Sequence, residues 1–222
     1  MSVAFSRKER TLDGQEKILR MNKTKRTVGR PKEFDREAVL EKALQVFWDK
    51  GYVLTSMTEL CTAMQINAPS LYATFGNKAQ LFLEALNFYE EKYWTVPAQN
   101  FLKEKDIVSA VRDFFTASLE ILYSQKNPCG CMTVLAAVSI PLEEQKIHAR
   151  VQELRNDTQT MFLTRFKQAV QDGQLAKGTD CQALAVAMNT LLEGLSVQAK
   201  SGVVLNNLQE IPELAVCMLK SN

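Results

Sequence analysis

The sequence predicts an all-α protein, with a short three-helix unit near the N-terminus and a longer helical bundle behind it. Three observations carry this. Apolar residues recur at three- and four-residue spacing along most of the 222-residue chain, and runs of alternating polar and apolar residues are almost missing. Only 9 Gly and 6 Pro occur, and most fall where a helix would start or stop. Apolar residues make up 46%, enough to bury a substantial core at this length.

The segment before the first helix, residues 1–33, reads as a basic flexible arm. Residues 1–32 hold ten Lys or Arg and three acids, so they carry +7, while the remainder carries −5 of the net +2. A basic arm on a mildly acidic body points to a polyanion, such as nucleic acid, at one end of the molecule. A solvated tail is the plainer reading, and few apolar residues are present to order it. Within the arm, Arg30 lies between Gly29 and Pro31, where an extended backbone would let it enter a narrow minor groove. Met21 opens "MNKTKR", a plausible start, so residues 1–20 read as an upstream extension.

Asp35 is an expected N-cap for a helix over 36–50, whose apolar positions run from Val39 to Trp48; Gly51 ends it. Ser56 opens a second helix, ending near Met64, and Glu59 three residues on completes a capping-box pattern. Gln65-Ile66 make a tight turn, and Asn67 caps a third helix. Pro69 falls in its first turn, where a missing N–H costs nothing. Gly76 stops this helix, and Asn77 caps a fourth that runs to about Trp94, with Pro97 expected to prevent extension. Further helices are expected over 106–124, 130–140, 143–172 and 180–200, and a last one from Pro212 to Lys220.

Three short helices with a tight turn before the third form a helix-turn-helix unit, which lays its third helix in the major groove of DNA. Ala68, Pro69, Ser70 and Ala73 give that helix a low profile for close approach. Ser70 and Thr74 carry hydroxyls for base edges or phosphates. Tyr72 suits a phosphate oxygen, as do Ser56 and Lys78 at helix starts, where amide groups and the helix dipole favour anions. Asn67 and Asn77 read as caps before they read as base contacts, and Tyr72 could also be a half-buried packing residue.

These residues carry a resemblance. Phe34 to Phe82, including "FWDKGYVLTSMTELCTAMQINAPSLYATFGNKAQLF", resembles the DNA-binding domain of TetR-family transcriptional regulators. The resemblance implies a helix-turn-helix DNA-binding domain over 34–80 and a helical ligand-binding and dimerisation domain over 81–222. It implies a homodimeric repressor on a palindromic, double-stranded operator, released by a small-molecule or redox or metal effector. Two departures stand out: Gln65 replaces the usual turn Gly, and Thr74 replaces the His or Tyr common before the Phe. An architectural or non-specific DNA-binding protein using the basic arm is the alternative.

Beyond the resemblance, the apolar helix 180–200 and the last helix offer more apolar surface than one monomer needs, which suits a two-fold interface. Cys129 and Cys131 stand one residue apart before an expected helix, where a lowered thiol pKa would allow redox, electrophile or soft-metal sensing; packing is the other reading. No enzyme motif is recognised: paired carboxylates, a phosphate-binding glycine loop and a nucleophile motif are missing, and His148 is the single histidine. Neither a cofactor nor a membrane span is expected, since no apolar run approaches ~18 residues. Five scattered Cys suit a reducing cytoplasm.

Overall fold

The computed structural model describes residues 35–135 and 140–220. The arm over 1–33, with Arg30, lies outside them. From Arg36 onward the chain forms one compact unit.

Helix α1 (Arg36–Leu54) buries the expected face, including Ala43, Leu44, Phe47 and Trp48, and kinks at Gly51. Helices α2 (Met57–Met64), α3 (Ala68–Phe75) and α4 (Lys78–Tyr89) follow. Leu60, Met64, Leu71 and Phe75 close the small core that they share with α1. Aromatic edge contacts then bind α4 to α1: Phe47 meets Phe82 with ring centroids 5.0 Å apart, and Trp48 meets Tyr89 at 4.7 Å. Such pairs contribute ~0.5–1.5 kcal/mol each beyond their buried area. Residue 80, the expected domain boundary, lies within α4.

Pro97 does not stop the fourth helix. The α4 ladder passes into a π-helical turn, Glu90–Trp94, and resumes as α5 (Thr95–Lys103). In the π turn the Thr95 N–H donates to the Glu90 carbonyl, five residues back. The ladder thus restarts, and Pro97 occupies the first turn of α5, where its missing N–H is harmless.

Behind this lie α6 (Ile107–Leu122), α7 (Met132–Leu135), α8 (Gln145–Gln171), α9 (Cys181–Lys200) and α10 (Ile211–Met218). Phe101, Phe114, Phe115, Phe162 and Phe166, from α5, α6 and α8, form one aromatic core with centroids 5.3–6.4 Å apart. Helix α9 packs along α8, and α10 along α6. Of the helix expected over 130–140, the described residues show α7, Met132–Leu135, and 136–139 lie outside them. The described residues contain no strand, and no helix among them is long and apolar enough to cross a membrane.

Candidate nucleic-acid interface and cavity

The turn before α3 works through an unusual residue. Gln65 adopts φ 58° and ψ 36°, the one non-glycine with positive φ among the described residues. The Ile66 N–H donates to the Cys61 carbonyl at 3.2 Å and the Gln65 N–H to Thr62 at 3.3 Å, closing the end of α2. Asn67 then caps α3, its side-chain oxygen accepting the Ser70 N–H at 2.8 Å. At the other end Gly76 has φ 74° and ψ −126°, a backbone region open to glycine. A Cβ there would also collide with the Gln80 carboxamide, which accepts the Asn77 N–H at 2.9 Å while Asn77 accepts the Gln80 N–H. This reciprocal box starts α4. The box expected at Ser56 is half formed. Ser56 accepts the Glu59 N–H at 3.1 Å, but the Glu59 carboxylate turns to an ion pair with Lys50 on α1.

The surface of α3 matches the sequence expectation in its profile. Leu71 and Phe75 are buried, whereas Asn67, Ala68, Pro69 and Ala73 are exposed, with Ser70 and Thr74 half-buried. Tyr72 is 51% exposed, and its hydroxyl has no partner among the described residues. Ser56 is exposed, and its hydroxyl can still donate. Lys78 is partly engaged: its ammonium lies 4.5 Å from the centre of the Tyr52 ring and 3.5 Å from the Val53 carbonyl. Burial lowers the Lys78 pKa, and nearby Glu144 opposes this. Tyr52 in turn donates to Glu144 at 2.5 Å. Lys78 is therefore positioned against the end of α1 rather than waving in solvent.

Further along the chain, a cavity of about 480 Å³ opens between α5, α6, α8 and α9. Phe114, Leu154, Met161 and Leu192 give it apolar walls. Its polar groups come largely from the π turn, which presents Glu90 and Trp94. The Glu90 carboxylate accepts a hydrogen bond from the Thr133 hydroxyl, and burial raises its pKa. The Ser196 hydroxyl and the Trp94 indole nitrogen are buried on this wall without a well-formed hydrogen bond among the described residues. Sequence reading missed these residues. The available signal was Glu90 itself, an acid four and eight residues after the core positions Leu86 and Phe82, on the same helix face.

The two cysteines separate. Cys129 is exposed, and Cys131 is buried on the cavity wall. Burial, with Glu90 close by, pushes the Cys131 thiol up to about 11. The Thr133 and Val134 backbone amides at the start of α7 oppose this, but burial outweighs them, so the thiolate form is disfavoured at Cys131. No group of three or more metal-ligating side chains forms among the described residues.

The loop holding these cysteines also touches α1. The Trp48 indole donates to the Gly130 carbonyl at 2.8 Å. Gly130 has φ 85°, and a Cβ on it would lie 2.8 Å from the Ser196 carbonyl oxygen on α9. The cavity wall is thus wedged between α9 and the helix that supports α2 and α3.

Comparison with known proteins follows the same division of the chain. Residues 39–85 match the family described as bacterial regulatory proteins, tetR family, and residues 108–202 match the tetracyclin repressor-like C-terminal domain. The HTH-type transcriptional repressor ComR of Escherichia coli is 34% identical over 189 residues, covering 84% of this chain and 90% of its own. An uncharacterised HTH-type regulator of Bacillus subtilis, YezE, is 27% identical over 193 residues, covering 86% of this chain and 100% of its own. Among solved structures, a cysteine mutant of the TetR-family regulator CifR, complexed with 26-base-pair double-strand operator DNA, aligns with a TM-score of 0.80 at 34% identity. That alignment covers 85% of this chain and 98% of the other.

Proposed function

The chain belongs to the TetR family of DNA-binding transcriptional regulators, and from that premise we propose a homodimeric repressor whose hold on a palindromic operator is loosened by a small molecule in the C-terminal cavity. The observation that carries the reading is α3 itself. It is capped at both ends, anchored by Leu71 and Phe75, and exposes a low-profile strip beginning at Asn67. In this reading Ala68, Pro69, Ser70 and Thr74 face base edges, while Asn67 chiefly holds the helix start. Tyr72, Lys78 and Ser56 take phosphates, and Arg30 reaches the minor groove.

Dimerisation is assigned to α9 and α10. Val186, Thr190, Gly194 and Val197 form an exposed strip on α9, and Leu214 stands 56% exposed on α10. Two such pairs would pack as four helices about a two-fold axis, setting two recognition helices about one DNA turn apart. The effector acts by preferring the dimer conformation that does not fit DNA, which shifts the population away from the bound form.

A gel shift on the DNA upstream of the protein's own gene tests this. A short protected palindrome, lost on adding an effector, is the expected result. Uniform coating without a preferred site would instead mean a non-specific binder relying on the basic arm.

A further inference from the structure

Charges around the cavity do not cancel. Two arginines line it, and both are already engaged. Arg155 lies 3.8 Å from Glu193 and donates to the Val134 carbonyl at 3.5 Å. Arg150 donates to Glu153 at 2.6 Å and to Asn87 at 2.8 Å. Glu90 forms no ion pair among the described residues; the Thr133 hydroxyl is its hydrogen-bond donor, and Arg150 acts on it only through space, too weakly to offset its burial. Glu91 and Asp157 line the same space and add negative potential.

A carboxylate withdrawn from water without a cation is costly to a folded protein. Here the arrangement is built in, because the π turn carries Glu90 and Trp94 into one cavity. The Ser196 hydroxyl, fully buried and without a partner among the described residues, offers a further acceptor on the same wall. The Trp94 ring lies 6.4 Å from that of Phe114, giving aromatic faces that attract cations. The Trp94 indole nitrogen and Arg155 Nε, neither in a well-formed hydrogen bond among the described residues, would favour a carbonyl or an anion. An anion there, however, would sit beside Glu90, Glu91 and Asp157.

We propose that the cavity takes a lipophilic amine, a small molecule with an apolar body and one protonated nitrogen, with Glu90 as its counter-ion. The proposal names the ligand class of the effector site and rests on the reading of that cavity given above. The apolar body lies against Phe114, Leu154, Met161 and Leu192, and the ammonium supplies the direct ion pair that Glu90 lacks.

The test uses three probes sharing one apolar body: phenylbutylamine, phenylbutanol and phenylbutyrate. Titration calorimetry on the free protein reads their affinities. The amine is expected to bind about tenfold tighter than the alcohol, the ratio given by one charge-assisted hydrogen bond, and the carboxylate most weakly. In Glu90→Gln the amine's advantage over the alcohol should fall to about twofold or less. An alcohol or carboxylate that matches the amine, no binding by any probe, or an undiminished amine preference in Glu90→Gln each overturns the proposal. The wild-type ranking alone decides the ligand class, so it stands or falls even if the variant fails to fold. A parallel gel shift separates the two readings. Amine binding without operator release keeps the ligand class and overturns the effector role. Release by the carboxylate keeps the effector role and overturns the ligand class.

Discussion

Gln65 holds a left-handed conformation with a side chain attached, at a cost of ~1 kcal/mol relative to glycine. Gln65→Gly should therefore raise the melting temperature by ~2–4 °C for a chain of this size, with operator affinity unchanged, as a thermal melt and a gel shift would show. Tyr72 belongs to the opposite class, being exposed and contributing nothing visible to packing beyond its ring. Tyr72→Phe should leave the melt unchanged and weaken binding about threefold to tenfold on operator and non-operator DNA alike, if its hydroxyl holds a phosphate. Glu90 makes a pH prediction. Burial raises its folded pKa above the unfolded value, so the native state keeps that proton to higher pH. Stability is therefore lost as pH rises from the unfolded pKa, ~4.3, through the raised native one. Glu90→Gln should equal the wild type near pH ~4 and exceed it at neutral pH, measured as denaturant midpoints.

At the scale of elements, α3 was the most legible part of the chain. Each of its boundaries is set by local chemistry: Asn67 caps it, Pro69 suits its first turn, Gly76 alone suits the exit, and Asn77 restarts the chain. Asn77→Ala removes one half of the reciprocal box and should cost ~1 kcal/mol, read from chemical denaturation. The elements that sequence reading misjudged depend on distant partners instead. Pro97 looked like a stop because a proline cannot continue a regular α ladder, and nothing local announces the wider turn that accommodates it. The start of α7 was equally obscure: Gly130 is fixed by its approach to Ser196, which lies 66 residues away, counted from 130 to 196. The cavity was invisible for the same reason. Its polar residues stand on three separate segments, and only packing brings Glu90, Thr133 and Ser196 to one wall.

The whole molecule is a chain of supports from one function to the other. The Trp48–Gly130 hydrogen bond and the Tyr52–Glu144 contact tie α1 to the segments ahead of α7 and α8, and Lys200 donates to the Asp49 carbonyl at 3.0 Å. Trp48→Phe keeps the ring but leaves the buried Gly130 carbonyl without its donor. It should cost ~1–3 kcal/mol and reduce the response of DNA binding to a cavity ligand, measured as the ligand's shift in operator affinity. Assembly makes a separate prediction. Val197→Glu with Leu214→Glu should give monomers by sedimentation and abolish tight operator binding, with little loss of helix content, because both side chains are exposed in the single chain. The π turn has a hereditary consequence of its own. It holds one residue more than a regular spiral, so loss of a single codon within 90–94 would let the helix close into ordinary turns. Because the wide turn absorbs that extra residue, α4 and α5 would keep their relative orientation, and the residues within the turn would change position on the helix face. The DNA-reading helices, which precede the deletion, would keep their packing, while the cavity would lose its Glu90–Trp94 wall. Such a mutant would show up in a genetic screen as a repressor that no inducer can lift.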